Sequence, residues 1–76
     1  MDMEPWKLRF INEYDELKVK TEKLGNMLSA YLAGELNFTP NCDYNILHEQ
    51  YVYMKNYLNV LEQRARIEGI DLKEEN

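Results

Sequence analysis

Between Asn45 and Ile67 the chain reads NILHEQYVYMKNYLNVLEQRARI, which is one long helix with two apolar stripes instead of one. The first stripe is Leu47, Tyr51, Met54, Leu58, Leu61 and Ala65. The second is Ile46, Tyr53, Tyr57, Val60 and Ile67, with Gln50 and Arg64 in the same row. Both advance by alternating steps of three and four residues, the spacing of a helix face. One stripe can be covered by another helix of the same chain. The other needs a second chain, a ligand or a host protein.

The segment before it supplies the first cover. Pro5 suits the first helical position, where its missing N–H costs nothing. From there to Ala33 the stripe Phe10, Tyr14, Leu17, Thr21, Leu24, Leu28 and Tyr31 is unbroken. Asn12, Asp15, Glu16, Glu22, Lys23 and Asn26 make the opposite, solvated side. Gly25 interrupts the helix interior at about 1 kcal/mol against alanine. It reads as a tolerated glycine, with a bend or a close approach of another backbone as the alternatives. Gly34 is a natural stop. In the connector, residues 34–41, Leu36 and Phe38 are expected to fold back as a lid over the open end of the hairpin. Asn41 or Thr39 would cap a second helix, about 42–68, with Asp43 in its first turn. Gly69 ends it, Ile70 folds back on the last turn, and residues 69–76 form an acidic tail.

A short connector makes the helices antiparallel. Folding the stripes together pairs Leu28 with Leu47, Leu24 with Tyr51, Thr21 with Met54 and Leu17 with Leu58. Tyr14 then meets Leu61, and Phe10 meets Ala65. Each pair of residue numbers totals 75, so the register is self-consistent. The expected fold is an all-α helical hairpin that oligomerises, as a four-helix dimer or higher, with Ile46, Tyr53, Tyr57, Val60 and Ile67 at the interface.

Size supports the oligomer. A chain of 76 residues is one small domain and marginal alone. Cys42 is the only cysteine, so no internal disulfide can brace it. His48 is the only histidine, and His48-Glu49 fails as a zinc-protease start because position 52 is Val. No metal and no cofactor are expected. Cys42 lies near a helix start, but it has no histidine partner at a useful spacing and reads as a small buried residue at the turn. The carboxylates are scattered, so no enzyme is expected.

Formal net charge is −5, which argues against nonspecific nucleic-acid binding. No apolar run is long enough for a membrane span. Against that acidic background Lys7, Arg9, Arg64 and Arg66 fall together where the two outer helix ends meet. Guanidinium groups there would hold phosphate bidentately, and Trp6 beside them could stack on a base. The bland alternative is surface ion pairing with Glu13, Glu62 and Glu68. The tyrosines Tyr51, Tyr53 and Tyr57, with an apolar ring and polar tip, suit either an oligomer core or a ligand surface.

The order Q-x-x-x-M-x-x-Y-L-x-x-L-x-x-R-A from Gln50 to Ala65, with the Ile67-Glu68-Gly69-Ile70 end, Arg9, Glu13-Tyr14, Leu17 and Asn41-Cys42, resembles a family of short bacteriophage proteins that includes crAss-like phages of gut Bacteroides. The resemblance implies a phage origin, and it picks out Gln50, Tyr57 and Arg64; with no membrane span and no signal-peptide core, a setting in the host bacterial cytosol is expected. The expected function is counter-defence: binding and sequestering a nucleotide immune signal between protomers, with Trp6, Arg9, Gln50, Tyr57 and Arg64 as ligand-binding residues. The alternatives are an acidic, anti-CRISPR-like inhibitor of a host defence protein, and a structural or assembly helper.

Overall fold

The computed structural model describes residues 4–72. It is all-helical, with α1 over Pro5–Ala33 and α2 over Tyr44–Glu68 packed against each other as a hairpin. Residues 1–3 and 73–76, the latter being the second half of the expected acidic tail, lie outside the described residues.

Pro5 opens α1, behind Glu4 in extended backbone. Both helices end on the same device. Gly34 and Gly69 each take φ 72°, a left-handed conformation that costs glycine nothing. Glu35 N donates to Ala30 O and Ile70 N to Ala65 O, both at 2.8 Å, so each last turn closes on itself. The second turn throws Ile70 back onto the helix, where it is buried, and Leu72 packs against the same cluster.

The start of α2 differs from expectation. Asp43, not Asn41 or Thr39, is the cap: its Oδ1 accepts from Ile46 N at 3.0 Å. A carboxylate at the N-cap satisfies one orphan N–H and also meets the positive end of the helix dipole. The connector differs too. Leu36 is half-buried, but Phe38 stays exposed and closes nothing. Cys42, expected to be buried, is exposed.

The core forms where the expected stripes meet. Phe10, Tyr14, Leu58, Leu61, Ala65 and Ile70 make one buried cluster, with Ile11 and Leu17 packed on it. Thr21 is also buried, its hydroxyl satisfied by donating to Leu17 O at 2.7 Å. The register holds along the whole hairpin. Tyr31 packs on Tyr44, the Tyr51 ring on Gly25, Tyr14 on Glu62 and Arg64 on Phe10. All four pairs lie within one of the expected total.

Candidate functional site

α2 leaves its second stripe bare. Ile46 is 54 % exposed, Tyr53 63 %, Tyr57 44 %, Val60 49 % and Ile67 82 %. The row lies about 100° round the helix from the buried stripe, since each residue advances about 100°. It therefore flanks the groove between the helices instead of facing straight out.

Two of the site residues are tied to α1. The Tyr57 hydroxyl donates to the Glu13 carboxylate across the groove. That bond, together with burial and the charge of Glu13, holds the Tyr57 pKa above its ordinary value of 10.0, with Arg64 pulling the other way. Arg64 lays its guanidinium over the Phe10 ring, 4.9 Å from the centroid. Such a contact neutralises no charge, and the cation keeps its field. Glu62, the other expected partner for the arginines, accepts instead from Tyr14 at 2.8 Å. The carboxylates are thus engaged by tyrosine hydroxyls from the opposite helix.

The remaining residues are placed less tightly. Trp6 donates its indole N–H to Glu4 at 2.8 Å, and Lys7 Nζ stands 5.8 Å over its ring. Arg9 is exposed, four residues before Glu13 and so on the same side of α1. Gln50 is exposed one heptad before Tyr57, which is about 10 Å along the axis, and Arg64 is as far again on the other side. A single protomer therefore cannot bring Gln50 and Arg64 to one small ligand. Nor do the four cations converge. Arg66 turns to the opposite flank, where it lines a depression of ≈ 310 Å³ with Tyr14, Ile70 and Asp71.

That opposite flank holds Tyr51 of the first stripe and decides the reading of Gly25. Tyr51 packs against Gly25, and a Cβ on residue 25 would sit 2.9 Å from Tyr51 Cε1. The glycine therefore admits an aromatic side chain, neither a bend nor a neighbouring backbone. Lys55 Nζ stands 5.8 Å over the same ring. Further along, Tyr44 stacks on His48 with centroids 5.7 Å apart and 20° between planes. Gly25 inside a helix was the one sequence signal that could have pointed here.

No group of three histidine, cysteine or acidic side chains among the described residues is placed to hold a metal ion. No helix among them is long and apolar enough to cross a membrane. No curated protein and no solved structure matches the chain. A family model does, over residues 4–67, which takes in α1, the connector and all but the last residue of α2, and the chain belongs to that family, Sequestin.

Proposed function

We propose that this protein is a small, non-enzymatic phage counter-defence factor that binds a host nucleotide immune signal and sequesters it between protomers in the host cytosol. The single observation that carries the reading is the bare stripe of α2, which runs beside an unneutralised guanidinium. Ile46, Tyr53, Tyr57, Val60 and Ile67 offer apolar surface to a second chain, and Arg64 sits in the same row over Phe10. The family's name, Sequestin, fits a protein that works by holding something. In this reading Arg9 and Arg64 hold phosphate, Trp6 or Tyr57 stacks on the base, and Gln50 completes the site from another protomer.

Titration calorimetry with cyclic dinucleotides and cyclic ADP-ribose isomers tests it. Binding heat for one of these ligands is expected, and it should vanish in Arg64→Ala while light scattering shows the assembly intact. Val60→Glu should lose both the assembly and the heat. Absence of heat with every such ligand, at protein well above micromolar, refutes the reading.

A further inference from the structure

We infer that the second stripe of α2 is self-complementary, and that two copies pair through it with their α2 helices antiparallel about a two-fold axis beside Tyr57. The inference rests on the reading above that this stripe is an inter-protomer surface, and it names the geometry and the residues each copy brings.

The row runs Ile46, Gln50, Tyr53, Tyr57, Val60, Arg64, Ile67 in alternating steps of four and three, so read backwards it shows the same alternation offset by one residue, with the two-fold point between residues 56 and 57. Its chemistry is also nearly palindromic. An isoleucine stands at each end, a polar residue comes next, and tyrosine or valine fills the middle. A two-fold axis at the centre sets Ile46 opposite the partner's Ile67, and Tyr53 opposite the partner's Val60. Tyr57 lies beside its own symmetry mate. An isologous interface requires this kind of self-match.

Charge selects the direction. In a parallel pair each residue would face its own copy, so Arg64 would meet Arg64 and Glu49 would meet Glu49. In the antiparallel pair Arg64 falls level with the partner's Glu49 and the partner's Gln50. Glu49 is already turned along this face, since it accepts from the Tyr53 hydroxyl at 3.2 Å. Opposed helix dipoles favour the same direction.

The area suffices. With a whole aromatic side chain counting about 150–250 Å², the exposures of the five apolar residues leave roughly 600 Å² per protomer. Two copies together bury roughly 1,200 Å², above the roughly 1,000 Å² of a specific interface.

The pairing also resolves the distance that separates Gln50 from Arg64 within one chain. Each Arg64 is joined by Gln50 from the other copy, so the dimer carries two equivalent composite sites, about 20 Å apart, and binds two ligands.

Cross-linking with a short bis-maleimide tests the geometry without any ligand, because packed helix axes lie about 8–10 Å apart. The background is Cys42→Ser, which removes an exposed thiol. Tyr57→Cys should link to itself. Ile46→Cys alone and Ile67→Cys alone should not, whereas an equimolar mixture of those two should yield a linked heterodimer. Self-linking of the Ile46→Cys and Ile67→Cys variants would establish a parallel pair and overturn the proposal. Failure of all of them to link, or a monomer by light scattering at high micromolar concentration, would overturn it too. The composite site has its own readout. Gln50→Ala and Arg64→Ala proteins, each silent in calorimetry, should recover about a quarter of the wild-type sites when mixed, because half the dimers are mixed and each of those carries one intact pair. No recovery with a cross-linking pattern as predicted would refute the shared site while leaving the antiparallel dimer standing.

Discussion

The Gly25–Tyr51 contact gives the sharpest test of how the helices fit. Replacing glycine by alanine in a helix interior ordinarily stabilises by about 1 kcal/mol, since the unfolded chain loses freedom and the helix gains propensity. Here the added Cβ would come 2.9 Å from Tyr51 Cε1 and 3.3 Å from both Cζ and the hydroxyl oxygen. The ring must move by several tenths of an ångström or push the helices apart. Overpacking of this kind costs about 1–3 kcal/mol. Gly25→Ala should therefore lie between neutral and about 2 kcal/mol destabilising. In a Tyr51→Leu background the atoms that collide are gone, and the same substitution should stabilise by about 1 kcal/mol. The coupling between the sites is the difference, about 1–3 kcal/mol. Urea unfolding followed by helical circular dichroism measures all four proteins, at one fixed concentration because the proposed self-association would link stability to concentration. If Gly25→Ala stabilises the protein that keeps Tyr51 as much as it stabilises the Tyr51→Leu background, the ring is not seated on residue 25 and the close approach is refuted.

Leu61 is 1 % exposed at the centre of the core cluster, so Leu61→Ala should cost about 2–5 kcal/mol and leave much of so small a domain unfolded at 37 °C, read by the same urea titration. Asp43→Ala should cost about 1 kcal/mol, while Asn41→Ala and Thr39→Ala should cost almost nothing, because only Asp43 caps α2. The Tyr57 pKa is raised on folding, so the protonated hydroxyl is the form the folded state favours. Its contribution is complete below the unfolded value of 10.0 and is lost as pH rises through the higher folded value. Thermal unfolding should show a fall in stability on that alkaline side that is smaller in Tyr57→Phe, and ultraviolet titration should show one tyrosine ionising late; equal slopes in the two proteins would refute the Glu13 bond.

The hairpin and its register were legible because they follow from spacing alone. An unbroken apolar stripe on each helix admits one antiparallel alignment, and contacts from Phe10–Arg64 at one end to Tyr31–Tyr44 at the other keep it. Gly34 and Gly69 were legible for a different reason: they end the helices in a backbone conformation that side chains resist. What spacing could not give was the choice among neighbouring polar partners. Asn41, Thr39 and Asp43 are all capable caps, and only the path of the connector decides for Asp43. Glu13 and Glu62 were equally suited to arginines or tyrosines. The cross-groove reach of Tyr57 and Tyr14 decided that, and periodicity does not encode it.

This choice bears on the function proposed. Had Glu13 and Glu62 paired with Arg9 and Arg64, the anion-binding charge would be spent within the protomer. Tyrosine hydroxyls instead occupy the carboxylates, and a tyrosine is neutral at physiological pH, so the bonds hold the helices together without cancelling a cation. Arg64 meanwhile rests on an aromatic face, which orients the guanidinium plane, so in the proposed dimer the anions it can meet are a ligand phosphate and the partner's Glu49. On the function proposed, a guanidinium so placed on a chain of formal net charge −5 would select ligands with localised phosphate over extended polyanions. A single nucleotide can reach Arg64 with few charge contacts, whereas a nucleic-acid strand must be tracked by a row of cations. Raising salt should therefore weaken binding of a small nucleotide only modestly, because few charges are exchanged. A steep salt dependence would mean that a long polyanion or a basic protein is the true partner.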